Sequence, residues 1–213
     1  MSEARIHILE GIPGAGKNVA VEIICRQYHS DTSPIYRFDE EFLLFSWKHN
    51  HIPGIEHVRL KLMDTMLDYA RTELNGNPEA LFIFTRFHIS FLVLGETGAL
   101  AHEYSHLLSK LHRLPVLVTI PILQRPEITQ RASHIERTDS AWRLYLDRRL
   151  AETGYTSLEE LFAAQQAQII ELVVKQGLPH RFVRVVDHAL ATETINLHTD
   201  NDNDNGTASK LPG

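Results

Sequence analysis

Residues 11–18 of this chain, GIPGAGKN, are its most informative segment. An apolar, β-favouring run, Arg5–Glu10, precedes it, and a run with helical periodicity continues after it to about Tyr28. Glycines let the backbone adopt positive φ and approach an anion, and the first amides of a helix carry partial positive charge. Lys17 adds a full charge. A G-x-x-x-x-G-K loop between a strand and a helix therefore predicts a site for the phosphates of a nucleotide.

Seven residues of this loop are expected to contact the nucleotide: Gly11, Gly14, Ala15, Gly16, Lys17, Asn18 and Val19. The motif has serine or threonine where this chain has Asn18. An amide oxygen is a poorer and differently placed partner for magnesium than a hydroxyl. Two readings therefore stay open: metal binding relayed through water, or nucleotide binding without efficient turnover.

The composition is that of a folded domain with a negative net charge. The chain has 213 residues, 43% hydrophobic and 23% charged, with a formal net charge of -6. These values argue against wholesale disorder and against recruitment of nucleic acid or acidic membrane by overall charge. One cysteine, Cys25, excludes an internal disulfide framework. With no signal-peptide pattern in the first residues and no apolar stretch of bilayer length, the expectation is a cytoplasmic protein.

Strand-like and helix-like segments alternate along the chain. The predicted strands are Arg5–Glu10, Pro34–Phe38, Ala80–Thr85, Pro115–Ile120 and Arg181–Val186. The predicted helices include Glu40–Trp47, His57–Leu74, His88–Leu111, an arginine-rich stretch over Gln124–Arg149, and one beginning at a Ser157 capping box and ending at Gly177. Such alternation predicts an α/β fold, a five-stranded parallel sheet with helices on both faces. We expect one domain over residues 1–198 and a disordered tail over 199–213.

Charged residues follow the second and third predicted strands. Because ligands of open α/β sheets bind beyond the carboxyl ends of the strands, Asp39 or Glu40 is expected to orient or deprotonate an acceptor, and Arg86 to hold phosphate. The alternatives are an acidic first helical turn and an ion pair between Arg86 and the acidic cluster. Phe87 is a candidate to flank a substrate ring, and Phe42 to line an acceptor pocket, although an aromatic residue at this spacing is more often core.

Arginines follow the fourth predicted strand. A lid over about residues 123–140 is expected to close over the phosphates, with Arg131 and Arg137 as the residues that stabilise developing charge. A solvated basic helix face is the alternative. Trp142 and Tyr145, three residues apart on one helical face, are expected to pack at the base of the lid.

A competing motif lies at residues 102–106. His102, Glu103 and His106 fit H-E-x-x-H, which on a helix places two imidazoles one turn apart for zinc. Against a zinc hydrolase, Ser109 occupies the position where the longer pattern has glycine, and no methionine follows the motif. We expect this segment to be a solvated helix face.

The motifs GIPGAGK (11–17), FDEE (38–41) and TRFHIS (85–90), with the later arginines, resemble the P-loop nucleoside and nucleotide kinases, particularly the thymidylate-kinase-like and deoxynucleoside-kinase-like families. The resemblance implies a three-layer fold with sheet order 2-3-1-4-5, a helical lid, ATP and Mg²⁺ as cofactors, and a nucleoside or nucleotide as phosphoryl acceptor. It also implies an acid at the end of the third strand, where this chain has Thr85, so Asn18 and Thr85 are the candidate metal residues.

The sequence also leaves two functions open besides phosphotransfer. A non-catalytic nucleotide-binding protein is the main alternative, and a sulfotransferase using a related loop is a third. A small-molecule acceptor is the expected partner, without nucleic acid or membrane, and the sequence leaves a homodimer open.

Overall fold

A computed structural model describes residues 3–28, 33–50, 52–94, 100–135, 140–187 and 189–193. Its strands are β1 (Ile6–Leu9), β2 (Ile35–Phe38), β3 (Leu81–Thr85), β4 (Val116–Pro121), β5 (His180–Val186) and β6 (Ala189–Glu193). Its α-helices are α1 (Lys17–Gln27), α2 (Ile55–Gly76), α3 (His88–Leu94), α4 (Ala101–Leu111), α5 (Arg125–Ile135), α6 (Ser140–Thr153) and α7 (Leu158–Gln176). A 3-10 helix covers Trp47–His49. In the part of the chain so described, no helix has the length and apolar character needed to cross a bilayer.

The strands form one mixed sheet in the order β2-β3-β1-β4-β5-β6. The first five are parallel and follow the expected order 2-3-1-4-5, but β6 pairs antiparallel to β5, so the prediction of five strands was wrong by one. The sequence of β6, ALATE, is mostly exposed and lacks a run of β-branched or aromatic residues. It forms a strand because it returns directly from β5 and completes that strand's hydrogen bonding.

Successive residues of β3 pack on opposite faces of the sheet. Leu81 and Ile83 contact the small cluster that includes residues of α1, whereas Phe82 and Phe84 belong to the large core on the other face. All five residues of β3 are buried. This is the pattern of a central parallel strand covered by helices on both sides.

Three predicted helices differ from the observed ones. The segment after β2 forms turns rather than a helix over Glu40–Trp47, and Leu44 within it has φ 60°. Within the expected helix His88–Leu111, the described residues form α3 and α4, and residues 95–99 lie outside the described part of the chain. The arginine-rich stretch is likewise two helices, α5 and α6.

The predicted start and end of α7 are observed. The Ser157 hydroxyl accepts a hydrogen bond from the Glu160 amide at 3.2 Å. The Glu160 carboxylate does not return to the Ser157 amide, as a capping box predicts; it accepts from the amide and hydroxyl of Thr156, at 3.0 and 2.6 Å. Gly177 ends the helix in the left-handed conformation, with φ 67°.

His7, in the middle of β1, is a buried imidazole. It is 1% exposed, both ring nitrogens lack a hydrogen-bond partner among the described residues, and its ring meets Tyr28 edge-on at 5.2 Å. Burial and the nearby Arg181 guanidinium lower the pKa of His7 from 6.5 to about 4. The imidazole is therefore neutral in the folded protein at neutral pH.

The pKa of His7 predicts acid destabilisation. Because the unfolded chain binds the proton more tightly, stability should fall as pH drops from about 6.5 to about 4, by about 2 kcal/mol between pH 7 and 5 for this residue. Urea denaturation of the wild type and of His7→Leu at pH 7 and pH 5 measures this change in the free energy of unfolding. The free energy of unfolding of His7→Leu should fall by about 2 kcal/mol less than that of the wild type. His102→Gln, at an exposed histidine, is the control. Equal pH dependence in wild type and His7→Leu would contradict the prediction.

Candidate nucleotide site

The loop between β1 and α1 has the conformation of an anion-binding turn. Gly11, Gly14 and Gly16 adopt φ of 150°, 76° and 91°, and α1 begins at Lys17 directly after them. The positive φ of Gly14 and Gly16 lets the loop turn sharply into α1, and the amides of the first turn of α1 have no helical acceptor. Loop and helix together form a concave surface of N–H donors at the carboxyl end of β1.

Lys17 lies folded back into this loop. Its ammonium group donates hydrogen bonds to the carbonyl oxygens of Gly11 at 2.9 Å and Ile12 at 3.0 Å, and the residue is 8% exposed. Burial lowers the pKa of Lys17 to about 7, and the nearby Arg86 acts in the same direction, while Glu40 and Glu10 oppose the shift. An anion bound in the loop would lie beside the Lys17 ammonium group. Its negative charge would favour the protonated form and raise the pKa of Lys17 toward the ordinary value.

Two side chains from distant parts of the chain lie against the loop glycines. A Cβ added to Gly14 would meet the side chain of Arg131 at 3.3 Å, and one added to Gly16 would meet Val185 at 3.0 Å. Both positions therefore favour glycine, because φ is positive and a Cβ would crowd these side chains. Arg131, on α5, therefore lies directly against the glycine loop.

Asp39, just after β2, stabilises the following turn through hydrogen bonds from backbone amides. Its Oδ1 accepts hydrogen bonds from the amides of Glu41 at 3.1 Å and Phe42 at 2.9 Å. This is the bonding pattern of a helix N-cap, and the Asp39 carbonyl also accepts from the Leu43 amide at 3.1 Å, but Leu44, with φ 60°, does not continue the helix. The carboxylate is exposed and borders the loop cleft described below.

Glu40 and Arg86 form an ion pair across the ends of β2 and β3. Arg86 Nε lies 2.5 Å from Glu40 Oε2, and the arginine side chain is 14% exposed against 44% for the carboxylate. Arg86 has φ 61°, unusual for a residue with a side chain, and its amide donates to the Leu9 carbonyl at 2.9 Å. The expected alternative, an ion pair between Arg86 and the acidic cluster, is thus observed, and the pair faces the site.

Glu10 is a residue of the site that the sequence analysis treated only as the end of a strand. It is completely buried, and its Oε1 accepts from the amides of Phe87, Ile89 and Ser90 at 2.8, 3.0 and 3.3 Å, while Oε2 accepts from the Ser90 hydroxyl at 2.5 Å. Burial raises the pKa of Glu10, and the hydrogen bonds from Ser90 and Phe87 oppose that rise. Glu10 therefore caps α3 and fixes the turn that carries Arg86. The signal available in the sequence was a charged residue inside an otherwise apolar run.

These residues enclose one open space, which we call the loop cleft, of about 640 Å³. The sequence-predicted residues that border it are Gly14, Gly16, Lys17, Asn18, Val19, Asp39, Glu40, Thr85, Arg86 and Arg131. Residues from five separate segments of the chain thus meet at the carboxyl ends of β1, β2 and β3. A smaller pocket of about 150 Å³ lies on the other side of the loop and includes Ala15, Leu123 and Val185.

The remaining predicted residues lie elsewhere. Phe87 is fully buried against Phe84, with ring centroids 4.8 Å apart, so its ring does not border the cleft. Phe42 is half exposed and packs on Phe38, outside the residues that line the cleft. Gly11 approaches the Pro121 carbonyl rather than the open space. Arg137 lies outside the described residues.

A second, smaller space lies beside the Glu40–Arg86 pair, and we call it the aromatic cleft. It measures about 50 Å³ and is lined by Phe45, Phe162 and the stacked rings of Trp142 and Tyr145, with Arg149 and Gln165. The Asn50 amide donates to the Tyr145 hydroxyl at 2.9 Å. Trp142 borders both clefts.

The H-E-x-x-H segment lies on α4 with His102, Glu103 and His106 exposed. His106 faces Asp64 of α2 at 4.0 Å. Across the ranges that the structure describes, no three histidine, cysteine, aspartate or glutamate side chains come together as a metal-binding group. The segment has the form of a solvated helix face.

Comparisons with known proteins were made for both the sequence and the fold. No family model matches the sequence, and no match was found among curated proteins. Among solved structures, the chain is similar to the YorR protein from Bacillus subtilis, which was crystallised in complex with phosphorylated GDP. The two are 14% identical with a TM-score of 0.48, over 84% of this chain and 85% of that one. A similarity at this level assigns no family, and the function of this site must be argued from its own residues.

Proposed function

We propose that this chain is a P-loop phosphotransferase that moves the γ-phosphoryl group of ATP to a small acceptor, a nucleoside or nucleotide. The observation that carries the proposal is Lys17, a buried ammonium group held inside a glycine loop that leads directly into a helix. Structural lysines are seldom buried without a carboxylate partner. A buried cation beside unpaired amides is suited to an anion that binds there.

The donor would lie along the loop and beneath the lid. The amides of the loop and Lys17 would hold the β- and γ-phosphates, and Arg131 would add charge from above. The pocket beside Ala15, Leu123 and Val185 offers space next to the loop for the remainder of the donor.

The acceptor would enter from the Glu40–Arg86 side. Arg86 presents a planar guanidinium to the loop cleft, and Glu40 fixes its orientation through the ion pair. Asp39 and Glu40 border the same cleft, and these two carboxylates would orient the acceptor.

The oxygen donors of the loop cleft fit Mg²⁺. Asn18, Thr85 and Asp39 supply an amide, a hydroxyl and a carboxylate to the same space, and hard oxygen ligands are those that this ion prefers. These three residues would hold it, with water and phosphate completing the shell. When bound, the ion neutralises phosphate charge as the phosphoryl group moves.

A second candidate function is nucleotide binding without turnover. The observation that favours it is the pair Asn18 and Thr85, which stand together at the cleft where the motifs have a hydroxyl and an acid. Calorimetric titration with ATP, with and without Mg²⁺, followed by a transfer assay with labelled ATP and a panel of nucleosides and nucleotides, separates the two. Transfer to any acceptor supports the first; tight binding without transfer or hydrolysis supports the second.

Replacing Asn18 by threonine should strengthen the contribution of Mg²⁺ to ATP binding. A hydroxyl ligand in place of the amide is expected to make ATP affinity depend on Mg²⁺ about tenfold more steeply than in the wild type, the effect of one additional charge-assisted contact. Titrations at zero and saturating Mg²⁺ measure the ratio, and Asn18→Ala, which removes the amide without adding a hydroxyl, is the matched control. An equal ratio in the threonine and alanine variants would show that position 18 does not contact the metal.

A further inference from the structure

The side chain of Gln166, on α7, binds both backbone groups of a single distant residue. Its Oε1 accepts a hydrogen bond from the Leu123 amide at 2.9 Å, and its Nε2 donates to the Leu123 carbonyl at 2.9 Å. A primary amide has both an acceptor and a donor, the combination needed to match the two backbone groups of one residue. Gln166 therefore holds Leu123 much as a residue of a neighbouring strand would.

Leu123 lies in the short connection between β4 and α5. The residue before it, Ile122, donates its amide hydrogen bond to the Val183 carbonyl at 2.9 Å. The residue after it, Gln124, donates its amide hydrogen bond to the Glu127 carboxylate at 2.6 Å. Contacts from β5 and α7 therefore set the direction in which α5 leaves the sheet.

Other contacts of α5 fix its direction less strictly. Arg125 pairs with Glu159 of α7 at 2.6 Å, but the arginine side chain is 58% exposed, and an exposed ion pair contributes little. Ile128 and Ala132 are buried in the core, and apolar burial is not directional. The two hydrogen bonds from Gln166 are directional and act on the backbone itself.

Arg131, near the middle of α5, lies against Gly14 and borders both the loop cleft and the smaller pocket beside the loop. Leu123 precedes it by eight residues, about 12 Å along a helix. A change of about 10° in the direction of α5 would therefore move Arg131 by about 2 Å. A misplacement of about 1 Å can lower a rate about 100-fold, so the bonds at Leu123 control a displacement that matters for phosphate contact.

From these contacts, and resting on the phosphotransfer proposed above, we infer that Gln166 is a positioning residue for Arg131. Its two hydrogen bonds to Leu123 set the direction of α5 and so hold the Arg131 guanidinium where it meets the phosphates of ATP. Gln166 is not among the described residues that border the loop cleft or the smaller pocket beside the loop. It acts on the nucleotide through α5 rather than by contact.

A double-mutant cycle tests this inference by calorimetric titration with ATP and Mg²⁺. Gln166→Met keeps the length of the side chain and removes its acceptor and its donor, and it should weaken ATP binding about 5- to 20-fold. In Arg131→Met protein the same substitution should change ATP affinity less than about twofold, because the arginine that it displaces is already gone. A glutamine that only stabilised the fold would weaken binding by the same factor in both backgrounds.

Gln168→Met, at an exposed glutamine of the same helix, is the matched control and should leave ATP affinity unchanged in either background. If circular dichroism shows Gln166→Met to be unfolded, the cycle is run with Gln166→Asn, whose amide is one methylene too short to make both bonds, and the same pattern is expected.

The inference is wrong if the substitutions at Gln166 and Arg131 weaken binding independently, if the folded Gln166 variant binds ATP as the wild type does, or if Arg131→Met leaves ATP affinity unchanged. Failure of the wild type itself to bind ATP counts against the proposed function instead.

Discussion

Lys17→Met is expected to lower the rate of phosphotransfer about 100- to 1000-fold and to weaken ATP binding about 10- to 100-fold, with the fold intact. The ammonium group lies inside the loop, with its donors on the Gly11 and Ile12 carbonyls, so it can turn to phosphate oxygens without leaving the site. Methionine keeps the length and apolar stem of the side chain and removes only the charge. Calorimetry and a labelled-ATP transfer assay measure the two effects.

The matched control for this variant is Lys175→Met, which removes an exposed ammonium group in the last turn of α7. It should bind ATP as the wild type does. Circular dichroism and urea denaturation of the Lys17 variant separate loss of function from loss of fold. Undiminished ATP binding by folded Lys17→Met would rule out the glycine loop as the phosphate site.

Glu10→Ala is expected to destabilise the protein by about 3 to 5 kcal/mol. Glu10 is completely buried, and the substitution removes the acceptor from three backbone amides and one hydroxyl. Because the same carboxylate fixes the turn that carries Arg86, any folded fraction should also show weaker binding of the acceptor.

Glu10→Gln separates these contributions. The amide keeps one oxygen for the backbone donors and loses only the second acceptor, so we expect it to retain most of the stability lost in the alanine variant. Glu103→Ala, at an exposed carboxylate of α4, should change the free energy of unfolding by less than about 0.5 kcal/mol. Urea denaturation measures all three. If Glu10→Ala costs no more than Glu103→Ala, the hydrogen bonds to α3 do not stabilise the fold.

The residues of the site are far apart in the sequence but in direct contact in the structure. Glu10 connects the end of β1 to the turn after β3, Arg86 connects that turn to Glu40 after β2, and Arg131 connects α5 to Gly14. The loop that would bind the donor and the pair that would bind the acceptor therefore share supporting residues. Movement of one side of the loop cleft on binding is expected to affect the other.

Local patterns of residues predicted the first five strands and the position of the glycine loop. Periodicity at residues 81–84 and the glycine spacing at 11–17 act locally, because side-chain alternation and backbone freedom depend on neighbouring residues alone. The same holds for the start of α7 at Ser157, where the bonding groups lie within four residues of each other. These are the features that the sequence predicted and that the structure has.

Only the tertiary structure decided which side chains meet. The addition of β6 depends on the free edge of β5, the burial of Phe87 depends on packing against Phe84, and the role of Glu10 depends on amides almost eighty residues away along the chain. The turns after β2, where a helix was expected, begin with a helix-cap pattern at Asp39 and end at Leu44, whose φ of 60° does not fit a helix. Contacts between distant segments are selected by the packing of the whole sheet, and no local pattern of residues encodes them.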